Sequence, residues 1–427
     1  MDSENKLEKR LLDEIMSIPV IDVHSHVPFE APYAASLREL LGYHYFTELA
    51  HSAGMQKDVI AEDNPDEKML SSLVQALEPL DNTVQYSWMI ELSRELFGFQ
   101  DQKLTHDNWK GLAESVENAT KEPGRAREIL DASSIEKVFL TNQFDDDLNR
   151  IDQDMFVPSL RADTLVFEFR NAEVRESLCK ISDTDIGDSA SLRQALESIV
   201  DRFRKNGAAS VALSLPPLFE VYPVVESDMD TAVGKAAQGK PLSASETATL
   251  QCGILFDLAE LCEEKGMPFQ LMAGAVRNAY RHGVLKGKDL PRAGDTLHSL
   301  LPLFNECSDL TFCVSVLSDS QAQELASYGW IVQNVVVSGH WWYDTIPAYI
   351  EQDLKARLQS VPKTKLIGYY SDMYKLEFGL PKFNMYRRSL AKVLAEDFVG
   401  KDRGTEEEAV GLARRLLREN ALEIFDI

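Results

Sequence analysis

His24 and His26 stand two residues apart at the end of the run Pro19-Val20-Ile21-Asp22-Val23-His24-Ser25-His26. The run opens with apolar and β-branched residues, as a buried parallel strand does, and the period-2 alternation of a strand turns both imidazoles to one side. Two nitrogens converging at the end of such a strand suit a divalent metal, zinc first and manganese second. The same spacing in a surface turn would mean two hydrated histidines. The buried run before the pair, and a distant carboxylate, favour the ligand reading. That carboxylate is Asp372, in Gly368-Tyr369-Tyr370-Ser371-Asp372, just past the last strand-like run. An aspartate after a strand is commonly a helix N-cap. In a closed barrel, however, the eighth strand neighbours the first, so Asp372 can approach His24 and His26 without loop rearrangement. Two imidazoles and one carboxylate leave coordination positions open, as catalytic metal sites need.

Further residues could serve a reaction beside that centre. His44 and Tyr45 lie in an aromatic run, 40–46, that reads either as helix packing or as a proton donor and acceptor. Arg161 and Arg277 follow the third and fifth strand-like runs, where a guanidinium grips a carboxylate through two bonds or joins a surface ion pair. Trp341 and Trp342, after Ser338-Gly339-His340, offer flat apolar walls to a ligand or to the core. His340 reads as a ligand or a hydrogen-bonding residue.

Positioning these groups requires a repeated scaffold. Eight short apolar, β-rich runs occur at 19–24, 136–141, 155–160, 209–215, 267–272, 310–316, 330–337 and 364–370, with helical patterns between several of them. The pattern over 250–265 is closed by Gly266 in the manner of a C′ glycine. Strand–helix alternation repeated eight times predicts a (β/α)₈ TIM barrel, an α/β fold. Residues 31–130 show helical periodicity at 37–49, 70–80 and 86–97, which predicts a helical insertion between strands 1 and 2. The expected division is therefore 1–30 for the N-terminal helix and barrel strand 1, 31–130 for the insertion, and 131–427 for the remaining barrel and a C-terminal helix. Residues 218–249 read as a long polar excursion after the fourth strand. Thr405-Glu406-Glu407-Glu408 opens the C-terminal helix as a capping box.

Composition narrows the functional classes. The 427 residues are 44% hydrophobic, ordinary for a soluble globular chain. No stretch approaches the roughly 18–20 apolar residues of a membrane span. The mixed-charge N-terminus has no signal-peptide core. Five cysteines without metal-type spacing fit free thiols in a reducing cytoplasm. A net charge of −25 argues against nucleic acid and anionic membranes as partners. An anionic substrate would need locally placed arginines. The number of subunits is open, a homo-oligomer included.

In order and spacing, several segments together resemble the uronate (glucuronate) isomerases of the metal-dependent amidohydrolase superfamily. They are Asp22-Val23-His24-Ser25-His26, Tyr43-His44-Tyr45, Leu140-Thr141-Asn142, Phe156-Val157-Pro158-Ser159-Leu160-Arg161, Gly239-Lys240-Pro241-Leu242-Ser243 with Glu246, Gln270-Leu271 leading to Arg277-Asn278, Trp341-Trp342, and Ser371-Asp372. The resemblance implies a distorted barrel that interconverts a hexuronate aldose and ketose, such as D-glucuronate and D-fructuronate. A proton would move between C2 and C1 through a cis-enediol. It further implies His24, His26 and Asp372 on the metal, and Arg161 and Arg277 on the sugar acid's carboxylate and hydroxyls. Trp341, Trp342 and the residue at 374 would line the sugar, with His44 and Tyr45 at its reacting end. Two positions depart from the family pattern: Met272 stands where a histidine is usual, and Tyr374 where an arginine is. A thioether cannot replace an imidazole on a hard metal, and a phenol has no charged fork. These departures keep open a divergent hydrolase or lyase that activates water on the metal, and a relative that has lost the metal.

Overall fold

Apolar runs pair side by side and in one direction. A computed structural model describes residues 2–61, 63–284, 286–294 and 296–427. Its strands are β1 (Val20–Asp22), β2 (Ile135–Phe139), β3 (Phe156–Val157), β4 (Ser159–Arg161), β5 (Ser210–Leu215), β6 (Phe269–Ala273), β7 (Ala275–Val276), β8 (Leu290–Pro291), β9 (Phe312–Val316), β10 (Val335–Ser338) and β11 (Leu366–Ile367). One parallel sheet runs β1-β2-β3 and a second runs β4-β5-β6-β9-β10-β11, while β7 and β8 form a short antiparallel pair. The chain thus has an α/β fold with parallel sheets.

The two sheets meet at Pro158. Its missing N–H interrupts the ladder, and the strand changes partner there, β3 pairing with β2 and β4 with β5. Asn142, just beyond β2, bridges the junction by accepting from Arg161 N and donating to Ser159 O, each at 2.8 Å. At the opposite edges, β1 and β11 share no ladder. Leu416 accepts a hydrogen bond from Gly368 N, and the buried Asn420 side chain donates to the carbonyls of Lys363 and Leu366. Beyond the strand ends the two edges do meet, where Asp372 N donates to His24 O at 3.1 Å and His26 N to Met373 O at 2.8 Å.

One buried cluster draws side chains from successive strands: Ile21, Phe139, Val157, Met272, Cys313, Val336 and Ile367. Phe425, at the end of the C-terminal helix Asn420–Phe425, closes it, its ring 4.9 Å from that of Phe139. Helices cover the outer faces of the sheets. The longest, Ala244–Lys265, ends at left-handed Gly266, as its sequence predicts, and begins earlier than the pattern over 250–265, at the reciprocal Ser243–Glu246 capping box. Between β1 and β2 the chain is largely helical, including Leu37–Leu41, His44–Ser52, Asp66–Leu77, Val84–Phe97, Trp109–Ala119 and Arg125–Ser133.

Two local readings change. The excursion at 218–249 contains the helix Glu226–Ala237, which buries Met229, Ala232, Val233 and Ala236. Small residues hide that apolar face among polar neighbours. The run at 330–337 is strand only from Val335 on, because the helix Ala322–Ile331 takes its first two residues, Trp330, 68% exposed, and Ile331, 80% exposed. Among the described residues no helix is long and apolar enough to cross a membrane.

Side chains tie the segment after β1 to the segment after β11. Lys375 Nζ donates to the carbonyls of Ala31 and Tyr33, Leu376 N to Pro32 O, and Ala34 N to Glu377 Oε1 at 3.0 Å. Burial pushes the Glu377 carboxyl up from 4.5 to about 7. Between those values the native chain keeps a proton that the unfolded chain has released. This group therefore lowers stability as pH rises through the window, by about 1.4 kcal/mol per unit. In Glu377→Gln, whose amide imitates the protonated acid, the melting temperature should fall less between pH 4.5 and 7 than in the parent. Parallel curves would mean that Glu377 is ionised in the fold.

Candidate metal centre and substrate cleft

β1 ends at Asp22, and the extended segment that follows carries His24 and His26 at alternate positions, where the meeting of chain ends described above sets Asp372 against them. Oδ1 of Asp372 lies 3.2 Å from His26 Nε2 and 3.7 Å from His24 Nε2. One ligand atom from each of the three lies within 4.8 Å of the others, and among the described residues no other group of histidine, cysteine and acid comes together in this way. The two imidazoles stand edge to face at 87° with centroids 5.2 Å apart.

The donor set fits a divalent cation. Both ring nitrogens of His24 and Oδ1 of Asp372 are buried without a hydrogen-bond partner, a costly state unless an ion or ligand satisfies them. Burial, then His26, lowers the His24 imidazole to about 3, so near pH 7 it is neutral and free to ligate. Burial raises the Asp372 carboxyl, but His26, His24 and Lys382 outweigh it and hold the group below the ordinary carboxylate range.

Thr141 fixes the tautomer of His26. Its hydroxyl donates to Ser25 O at 3.0 Å, so its oxygen is left to accept from His26 Nδ1–H at 2.7 Å. The lone pair of Nε2 then faces Asp372 and His24. Sequence reading passed over Thr141, although its place just past β2, beside the histidine strand, was the signal.

A cleft of about 850 Å³ opens on this centre, lined by His26, Tyr43, His44, Thr47, Lys286 and Tyr374. Burial lowers His44 to about 3, leaving a neutral imidazole. Tyr374 lies 4.9 Å from the His26 ring and 5.0 Å from the His44 ring, and Lys286 Nζ sits 4.0 Å over it. Lys286 comes from the turn between β7 and β8, and no strand-end position announced it. Tyr45 lies behind the cleft with its hydroxyl buried and unpartnered.

Arg161 and Arg277 line a second cleft of about 460 Å³ together with Gln143 and Ser214. Arg277 donates to Asp289 at 2.7 Å and Ser214 at 3.0 Å, while Arg161 Nε is 3.5 Å from Asp163. Trp341 is buried beside Met272 in the inner cluster. Trp342, half-buried, turns its ring edge to His44 at 6.3 Å. His340 lies apart from the three convergent ligands, with Nδ1 at 3.5 Å from buried Asp353.

The family profile described as glucuronate isomerase matches residues 2–425. A uronate isomerase from Clostridium perfringens is 22% identical, over 99% of this chain and 97% of that protein. The crystal structure of a uronate isomerase from Thermotoga maritima matches with a TM-score of 0.89 at 19% identity, covering 98% of this chain and 97% of that one. That of a glucuronate isomerase from Caulobacter crescentus matches with a TM-score of 0.90 at 18% identity, covering 99% and 94%. Those structures share the fold described above. With a profile match that runs almost from end to end, the chain belongs to the glucuronate isomerase family.

Proposed function

We propose that this protein is a metal-dependent aldose–ketose isomerase acting on a hexuronate, D-glucuronate with D-fructuronate as product or a closely related sugar acid. One observation carries the reading: in a chain of this family, His24, His26 and Asp372 converge within 4.8 Å beside a cleft. The scaffold in this proposal is a distorted (β/α)₈ barrel, divided as 1–30, 31–130 and 131–427. The parallel order of the strands, the bridge at Asn142 and the shared inner cluster support it. A cytoplasmic location belongs to the same proposal.

His24, His26 and Asp372 would hold the ion, zinc in the first instance and manganese in the second. A bound divalent cation polarises a sugar oxygen and so acidifies the neighbouring C–H. Arg161 and Arg277 bind the carboxylate and hydroxyls, supplying the local positive charge that a chain of net charge −25 otherwise lacks. Tyr374, Trp341 and Trp342 bound the sugar. Asp372 accepts the C2 proton and returns it at C1 through the cis-enediol, while His44 and Tyr45 serve the oxygens. The hydrolase or lyase reading raised by Met272 and Tyr374 is not favoured, because the family match spans both positions.

Metal-replete protein incubated with a panel of uronates should show carbonyl migration from C1 to C2. His26→Ala and Asp372→Asn should reduce it on the order of 10²–10⁴-fold with the fold intact. Silence across the panel, with activity on a lactone or amide, would replace isomerisation with hydrolysis. Arg277→Met should raise KM and lower kcat/KM by about 10–100-fold, the equivalent of a charged hydrogen bond of roughly 1.5–3 kcal/mol. Unchanged kinetics would remove Arg277 from the substrate contact.

A further inference from the structure

Asp372 has a φ of +52°, a left-handed conformation uncommon for residues with a Cβ, though aspartate adopts it more readily than most, and here its neighbours hold it there. The neighbouring residue shows how it is imposed. Ser371 N donates to Asp22 Oδ1 at 2.9 Å, and Ser371 Oγ donates to Asp22 Oδ2 at 2.5 Å. The same Oγ accepts from Met373 N at 3.1 Å, and Ser371 O accepts from Lys382 Nζ at 2.6 Å. Every polar group of Ser371 is therefore engaged. With Asp372 N bonded to His24 O, the peptide between 371 and 372 cannot turn without breaking several of these bonds.

Both ionisable members of this arrangement are wholly buried, Asp22 and Lys382 each at 0% exposure. Lys382 lies on the helix Gly379–Val393, its ammonium against the rings of Tyr45 at 4.7 Å, Trp88 at 5.1 Å and Tyr43 at 5.7 Å. Its remaining polar contact is the Tyr43 hydroxyl at 3.3 Å. Among the described residues no carboxylate pairs with it at salt-bridge distance. An ammonium and a carboxylate buried apart from each other contribute little to stability, and apolar residues would fill the space at lower cost. Their common point is the single serine that precedes Asp372.

We propose that Asp22 and Lys382 are positioning residues, a two-sided clamp on Ser371 that holds Asp372 in the conformation presenting its carboxylate to His24 and His26. This assigns Tyr43, Tyr45 and Trp88 a part as the aromatic wall that fixes the ammonium. The inference rests on the metal reading above and extends it to Asp22 and Lys382, which neither hold the metal nor line the cleft.

The test is zinc affinity of the full-length chain stripped with a chelator, measured by competition with a chromophoric chelator, with the melting temperature of the stripped protein measured alongside. Lys382→Met should bind zinc about 10–100-fold more weakly, while its stripped form melts at or above the temperature of the parent. Asp22→Asn, which keeps the shape and loses the paired acceptors, should also weaken zinc at least tenfold and serves where Lys382→Met fails to fold. Zinc affinity within twofold of the parent in both variants would overturn the clamp, as would a lowered melting temperature with affinity undiminished. A parent chain that binds no zinc would end the metal reading, and the clamp with it. A parent that binds while its variants bind equally well ends the clamp alone.

Discussion

The site depends on a backbone contact between the segments that follow the first and the last strands of the chain. Asp372 N reaches His24 O and Met373 O receives His26 N, so the segment after β11 is laid beside the segment after β1. Neither pair of bonds belongs to a strand ladder. They survive because the C-terminal segment fills the gap between β1 and β11 below them, Leu416 and Asn420 taking up the polar groups of residues 363–368 that a ladder would have used. Unpaired buried backbone groups would otherwise oppose the arrangement. The distortion of the sheet and the convergence of the ligands thus have one origin.

Electrostatics follow from the same burial. In a chain carrying 69 acids against 44 lysines and arginines, an exposed histidine pair would sit in a negative field that favours protonation. Enclosure reverses this: His24 is pushed down to about 3 and His44 likewise, each chiefly by loss of water. Asp372 goes the other way, ionised against the cost of burial because cationic and imidazole neighbours surround it. The result is a neutral imidazole beside an anionic carboxylate near pH 7, the charge state a divalent cation requires.

Much of this was legible in the primary structure, for identifiable reasons. Strand positions showed because buried parallel strands are continuous apolar runs, and the approach of Asp372 to His24 and His26 was expected from strand order together with an assumed barrel closure. Capping motifs at Gly266 and Thr405 fixed helix ends because their chemistry is local. What stayed hidden was non-local. The helix Glu226–Ala237 buries alanines, which carry too little hydrophobic contrast to reveal a face. Lys382 gave no sign because a lysine on a helix is ordinarily solvated; only the packing of Gly379–Val393 against the aromatic helices shows it buried. Lys286 enters through a turn whose geometry no strand period encodes.

The two departures from the family pattern have different physical consequences. Met272 faces the inner cluster with Cys313 and Trp341, where a thioether adds apolar contact and asks for no partner. Tyr374 lies in the cleft itself, stacked toward His26 with Lys286 Nζ 4.0 Å over its ring. A guanidinium at 374 would bring a rigid, permanently charged fork to that point. A phenol with an ammonium resting on it still brings positive charge, but as a mobile donor on a flexible stem carried by a different element. Neither residue supplies one of the three ligand atoms that converge at His24, His26 and Asp372. At Tyr374 the cleft wall therefore offers charge and shape through an ammonium resting on an aromatic ring.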